Sequence, residues 1–231
     1  IWHHQSFYRA VSGMTAAQLA STHKPPANDL LGTRTALWGT DEVLYQTRLE
    51  EDNRPFPGRH PLHGSEIVPA AVLLRTFLRA LSPRSVEEVS LQVPVVVSPA
   101  REIQVRHNTR NITITSRLEE STSNEDNSWL VNTTATVGAD ATPSISHIDI
   151  AEIGKRLPQK QSNSFSMDYL ASVGVSAMGF PWRVAHHVAS ENEMLARVYA
   201  NPNSLPGMDD LLTSVMDAAT SIASTLWHSE P

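Results

Sequence analysis

The apolar run Ala70 to Leu81 constrains the fold of this chain more than any other feature. Its residues Ala70, Leu73, Leu74, Phe77, Leu78 and Leu81 recur at i, i+3, i+4, i+7, i+8 and i+11, which predicts a helix with one core-facing stripe. Arg75, Thr76 and Arg79 share its other side. Pro69 opens the run, where a first helical residue needs no N–H donor. Four segments rich in Val, Ile and Thr follow: Val89 to Val97, Glu102 to His107, Asn111 to Leu118 and Trp129 to Val137. Short polar turns separate them, so they read as successive strands. The longest turn, Glu119 to Ser128, is acidic and serine-rich and is expected to be mobile. One further strand-like stretch, Val43 to Leu49, precedes the helix. A long helix with an antiparallel sheet able to wrap it is an α+β pattern.

The second half repeats this order more weakly. Ser146 to Arg156 and Ser166 to Val173 read as short helices, and Trp182 to Ala189 and Glu193 to Ala200 as strands. After a Pro/Asn-rich turn at residues 201–207, a long helix runs from about Asp209 to Trp227. The expected organisation is a linker or edge segment over 1–29, a first lobe over 30–140 and a second lobe over 141–231. Strands analogous to those that follow the first helix are missing after the second, which predicts a truncated second lobe.

Composition narrows the function. The 18 Lys and Arg do not cluster and the net charge is −6, so no basic stripe marks a nucleic-acid partner. With no cysteine, disulfides, thiolate metal sites and a Cys nucleophile are excluded. No stretch approaches 18 uninterrupted apolar residues, so no membrane span is expected. The N-terminal Ile1-Trp-His-His-Gln lacks the apolar core of a signal peptide. A cytoplasmic domain within a longer polypeptide is the expectation.

The chemistry concentrates just before the first helix, in His60-Pro-Leu-His-Gly64-Ser-Glu-Ile-Val-Pro69. This order sets a titratable imidazole beside a helix N-terminus, whose free N–H groups can polarise a carbonyl oxygen. Gly64 is expected to let the backbone pass close to a ligand or another segment. An acyl-thioester site fits such an arrangement, with the N–H groups of Gly64 and Ser65 as oxyanion donors. His60 and His63 lack acidic or cysteine partners at ligand spacing, so no metal is expected. Glu66 reads as a charge favourable to the helix dipole. The adjacent His186 and His187 lie on a strand, point to opposite faces and cannot line one site together.

A second candidate lies on the last helix. Leu211, Leu212, Val215, Ala219, Ile222 and Leu226 are expected to form its apolar face, with Asp217 roughly opposite among Asp210, Thr213, Thr220, Ser221 and Ser224. Between Leu211 and Trp227 there is no Lys, Arg or Glu, and Asp217 is the only charge. Solvated helix faces ordinarily carry long charged side chains, so small hydroxyl residues around one carboxylate point to a pocket. Phe180 and Trp182 read as core or tunnel wall.

His60-x-x-x-Gly64-x-x-x-x-Pro69 resembles the first signature of the double-hotdog dehydratase domains of polyketide synthases. Asp217, in Val215-Met-Asp-Ala-Ala-Thr-Ser221, stands where their second signature carries its aspartate. The likeness runs from Leu30-Leu-Gly32 through Gly174-Val-Ser-Ala-Met-Gly-Phe-Pro-Trp182 to the last helix. Its wording is most like the 6-methylsalicylic acid synthase type of iterative, partially reducing synthase. Ordinary members have Gln or His four residues after the aspartate, where this chain has Ser221, and Tyr-Gly-Pro where it has Met178-Gly-Phe-Pro181. The resemblance implies a double hotdog with His60 and Asp217 as catalytic groups. Around the substrate it implies Gly64, Ser65, Pro69, Gly179, Pro181 and Ser221. In the 6-methylsalicylic subgroup this domain is regarded as a thioester hydrolase that releases the finished aromatic acid. No cofactor of its own is implied, because the substrate rides on the phosphopantetheine of an acyl carrier protein. The other domains of a dimeric synthase are the implied partners. Dehydration of a β-hydroxyacyl thioester, template-like cyclisation and a non-catalytic dimerisation lobe stand as alternatives.

Overall fold

The computed structural model describes residues 29–119, 128–140, 148–200 and 207–229. The expected linker over 1–29 and the turns at 119–128 and 201–207 lie almost wholly outside these residues.

Helix α1 spans Ala70–Leu81, as its spacing predicts. It lies on a six-stranded antiparallel sheet made of β1 (Thr33–Ala36), β2 (Val43–Leu49), β5 (Arg84–Leu91), β6 (Arg101–His107), β7 (Asn111–Leu118) and β8 (Leu130–Asp140). The spatial order is β1-β2-β6-β7-β8-β5. Val72, Leu73, Phe77 and Leu81 of the helix pack with Leu49, Ile103, Val105, Ile112 and Ile114 of the sheet. Gln104 and Thr113 alternate with these residues and turn to the other face, the period-two pattern of a half-buried strand. At about 25 cal/mol per Å² of apolar area removed from water, this shared core is the main stabilising term of the first lobe.

Two expectations change here. The strand expected over Val89 to Val97 instead starts at Arg84 and ends at Leu91. Beyond it Asn132 of β8 closes the strand end, its carbonyl accepting the Gln92 and Val93 N–H groups and its side-chain amide donating to the Val93 carbonyl at 3.1 Å. Val95 and Val97 then bond residues ahead of the helix: Val68 N–H donates to Val95 O and Val97 N–H to Glu66 O, each at 2.9 Å. The helix stripe is also wider than one face. Leu78 is exposed, whereas Arg75 and Thr76 are buried. A second long helix, α4 (Met208–Ala223), packs beside α1, and the Arg75 guanidinium meets Asp209 at 2.7 Å. The Thr76 hydroxyl donates to Val72 O at 2.7 Å and accepts the Leu30 N–H at 2.9 Å.

The second half holds α2 (Ile150–Arg156), β9 (Gln159–Lys160), α3 (Phe165–Ser172), β10 (Trp182–Ala189) and β11 (Met194–Ala200), followed by α4. Its sheet has the order β11-β10-β9. A bulge in β10 falls between Val184 and His186, and His187 is buried while His186 is exposed. Helix α4 gives way at Ser224 to a tighter 3-10 turn over Ser224–Ser229, short of the straight helix expected to Trp227. The architecture is α+β, a long helix on a six-stranded sheet and a second long helix beside a three-stranded one. No helix among the described residues is long and apolar enough to cross a membrane.

Thr76→Val keeps side-chain volume but leaves the buried Leu30 N–H without its acceptor. Urea unfolding is expected to show a loss of about 1–3 kcal/mol, although valine is the more apolar residue. An unchanged midpoint would show that this hydrogen bond carries no stability.

Candidate active site

His60 leads into a two-residue hairpin, β3 (Pro61–Leu62) and β4 (Ser65–Glu66). The turn between them has positive φ at His63 (48°) and Gly64 (85°), the pattern of a primed hairpin turn that glycine favours. That backbone angle, rather than a close approach, is what Gly64 serves: a side chain there would meet nothing within 4 Å. Gly64 and Ser65 are both exposed on this turn. Glu66 is buried and does not act as an open helix-start charge. Its carboxylate accepts the His60 backbone N–H at 2.5 Å and the Arg59 Nε–H at 3.2 Å, closing the base of the hairpin. The His60 carbonyl accepts from Ile67 N–H at 3.1 Å.

One extended stretch, residues 174–182, runs between this hairpin and α4. Gly174 O accepts the His63 N–H at 2.9 Å, and Val175 bridges Leu62. The Ala177 backbone hydrogen-bonds the His60 ring. Gly179 O accepts the Gly58 N–H at 2.9 Å, and a methyl group on Gly179 would collide with the Pro69 ring. Pro181 O accepts the Ser214 hydroxyl at 3.2 Å. Trp182 Nε1–H then donates to Asp217 Oδ2 at 2.9 Å, and the Phe180 backbone N–H bonds the same carboxylate. Of the sequence-derived candidates, His60, Pro69, Gly179, Pro181 and Asp217 are thus gathered on one stretch of backbone. Gly64 and Ser65 sit on the hairpin turn. Ser221 lies one helical turn beyond Asp217 and, among the described residues, places no hydrogen bond on it.

Helix α4 presents a different face inward from the one expected. Leu212 and Val215 are 50% and 43% exposed, whereas Asp217 is 1% exposed and Thr213, Ser214 and Ala218 are fully buried. Small side chains let the helix approach the 174–182 stretch and α1 closely. The Thr213 and Thr220 hydroxyls are satisfied within the helix, on Asp209 O at 2.8 Å and Met216 O at 3.0 Å, and the Ser214 hydroxyl on Pro181 O. The lone carboxylate among hydroxyl residues therefore does face the interior. Of the apolar stripe expected on the same helix, Leu211 and Ile222 pack inward, whereas Leu212 and Val215 turn outward because the helix seats a buried carboxylate.

Electrostatics couple the two ionisable groups. Burial pushes the His60 imidazole below its usual range, against the attraction of Asp217, the Ala177 backbone bond and Glu66. Burial pushes the Asp217 carboxyl up, against the Trp182 hydrogen bond, His60 and the Phe180 backbone bond. Each group is among the causes acting on the other, so the imidazole and carboxylate lie within mutual Coulombic range. The His60 Nδ1 is buried and hydrogen-bonds none of the described residues, while the residue as a whole is only half-buried. Among the described residues no group of three His, Asp or Glu side chains is placed to hold a metal ion. A concavity of about 410 Å³ lies elsewhere on the six-stranded sheet, lined by Glu88, Arg106, Asn111 and Thr113 among others, and borders neither His60 nor Asp217.

Sequence reasoning missed three residues. Trp182 was read as wall, yet a half-buried indole N–H needs an acceptor, and a helix with a single charge offers one. Glu66 was assigned to the helix rather than to the hairpin base. Gly174 (φ 96°) carries the His63 ring directly over its Cα, leaving no room for a side chain.

Comparison with known proteins bears on the family and the fold. Residues 28–121 match the family model described as the polyketide synthase dehydratase domain. The whole chain is 94% identical to part of 6-methylsalicylic acid synthase from Penicillium terrestre, and 75% identical over 233 residues to that from Aspergillus niger. It spans only 13% of the length of each. Among solved structures, the dehydratase domain from the CurF module of the curacin polyketide synthase superposes with a TM-score of 0.70 at 16% identity. That match covers 87% of this chain and 77% of the other, and it shows the hotdog fold. Along its whole length the chain is thus similar to one segment of 6-methylsalicylic acid synthases, over residues 28–121 to the polyketide synthase dehydratase family, and in fold to the dehydratase domains of polyketide synthases.

Proposed function

We propose that this region hydrolyses the thioester that joins a finished aromatic acyl group, such as 6-methylsalicyl, to an acyl carrier protein. The observation that carries this reading is the convergence of His60 and Asp217 on the 174–182 stretch, each shifting the other's ionisation. On this reading residues 30–140 and 141–231 form two lobes, the first supplying His60 and the second Asp217. The parent synthase is a dimer, and the acyl group arrives on the carrier's phosphopantetheine.

The chemistry follows from the protonation states. A buried imidazole with a depressed pKa is neutral at neutral pH and can accept a proton from water. The water oxygen attacks the thioester carbonyl carbon while its proton passes to His60. The resulting oxyanion is received by backbone N–H groups, for which Gly64 and Ser65 on the exposed turn are the candidates. The tetrahedral intermediate then collapses with cleavage of the C–S bond. His60 returns its proton to the departing thiolate sulfur, leaving the carrier thiol and the free acid. Asp217, fixed by Trp182 and the Phe180 N–H, holds the water and stabilises the imidazolium. Pro69, Gly179, Pro181 and Ser221 shape the surrounding wall.

Dehydration is the second reading, and one observation favours it. Burial raises the Asp217 carboxyl, which suits an acid that protonates a leaving hydroxyl. Offering the chain a phosphopantetheine-type thioester of the aromatic acid and, separately, a β-hydroxyacyl thioester separates the two. Free acid from the first supports hydrolysis; an enoyl product from the second supports dehydration.

His60→Ala is expected to lower kcat/KM for the consumed thioester by about 10²–10⁴-fold, the span of general base catalysis, with the thermal midpoint little changed. A variant as active as the parent would end the enzyme reading. The pH profile supplies an independent check. The base works when neutral and its pKa lies below the ordinary 6.5, so the rate should persist at that pH and fall only as the medium becomes more acidic. A limb above neutrality would place the titration on another group.

A further inference from the structure

We propose that Trp182 is the positioning residue of Asp217, its indole N–H fixing the carboxylate from across the lobe where the helix itself supplies no side-chain partner. The inference rests on the reading above that Asp217 serves the thioester chemistry.

A carboxylate on a helix ordinarily finds its side-chain partner three or four residues away on the same face. On α4 the residues at those places are Thr213 and Ser214 before it, whose hydroxyls are spent on Asp209 O and Pro181 O, and Thr220 and Ser221 after it. The Thr220 hydroxyl is spent on Met216 O at 3.0 Å and Asp217 O at 3.2 Å, both main-chain carbonyls. None of the four places a hydrogen bond on the carboxylate. The donor comes from β10 instead: Trp182 Nε1 at 2.9 Å from Oδ2, the one side-chain hydrogen bond on Asp217 among the described residues.

The indole is itself held in two ways. Its ring packs against both hydrophobic clusters: the first-lobe core built on Phe77 and Ile103, and the smaller one of Val184, Ala218 and Ile222. Its backbone is registered in β10 opposite Ala200 of β11. The ring is thus seated between the two cores, and its N–H direction is fixed before substrate arrives. With the Phe180 backbone N–H on the same carboxylate, two donors from alternate residues of one strand entry set the carboxylate plane. An indole has one donor and no acceptor, so this bond favours the ionised carboxylate and cannot form in reverse. The ring body belongs to packing; the N–H is the part assigned to function.

Trp182→Phe separates the two, because it keeps an aromatic ring and removes the donor. The expected result is a fall in kcat of up to about 100-fold for whichever thioester the parent chain consumes, with KM changed less than about threefold, the signature of a displaced catalytic group. Without the donor the His60–Asp217 pair takes up its first proton more readily. The acid limb of the rate profile, and the His60 ring titration followed by NMR, should both move to higher pH. Adding Ser221→Gln to Trp182→Phe sets an amide donor one turn from Asp217 and should recover part of the lost kcat and return the limb; adding Ser221→Ala should do neither. Parental kcat and limb in Trp182→Phe would overturn the proposal, as would a loss of kcat accompanied by a lowered thermal midpoint and an unmoved limb. Should Trp182→Phe fail to fold, the parent chain still decides. The Trp182 indole N–H resonance should shift on Asp217→Asn, and an unmoved resonance would overturn the contact. A parent chain that consumes neither thioester removes the hydrolase reading, while the NMR titration and the resonance shift still test the placement of Trp182.

Discussion

Contact between residues 174–182 and their two neighbours, main-chain on the side of the His60 hairpin and through side chains on the side of α4, is the constraint from which the site follows. Gly58 and Gly179 meet through a 2.9 Å hydrogen bond at a separation that admits no side chain, since a methyl group on Gly58 would lie 2.7 Å from Met178 O. Pro69, at the head of α1, closes on the same glycine. Three pieces distant in the chain are therefore brought together: the hairpin that bears His60, joined to the stretch by backbone, the stretch itself, and the helix that bears Asp217. Side-chain hydrogen bonds from Trp182 and Ser214 complete the second half of the stack.

Burial does opposite things to the two ionisable groups. It depresses the imidazole, which makes a base available at neutral pH, and raises the carboxyl, which would leave a proton on Asp217 were nothing else present. The Trp182 N–H, the Phe180 N–H and His60 all act against that second shift. On the proposed function, which chemistry the pair would perform turns on this balance. A carboxylate held ionised supports water and an imidazolium, whereas one allowed to keep its proton becomes an acid for a leaving hydroxyl.

Much of the architecture could be read from the sequence because local rules and tertiary packing agree there. Helix α1 has the expected limits, since a proline start and a stripe of leucines leave little choice. Strands β6 and β7 stand within a residue of expectation because alternation and turn residues coincide. The three sequence blocks also converge, though spacing alone could not say that residues 174–182 join the other two. Failures arose where a second partner overrode a local pattern. Arg75 and Thr76 sit on what reads as a solvent side until α4 covers it. Val95 to Val97 has strand composition but bonds Glu66 to Val68, ahead of the helix, instead of extending β5. On α4 the inward face is chosen by small size and by a carboxylate that needs donors, properties that a hydrophobic stripe does not register. Trp182 escaped notice because its role lies in one N–H on a ring otherwise suited to packing.

The glycine-to-glycine contact carries a consequence for how such sites diversify. With no side chain wedged between Gly58 and Gly179, the distance between the hairpin that bears His60 and the 174–182 stretch is a main-chain dimension, indifferent to which residues decorate the rim. On the function proposed above, exchanges at Met178 or Ser221 can then redirect the reaction without displacing the hairpin from the stretch. Dehydration and hydrolysis become neighbouring solutions on one frame, a few substitutions apart.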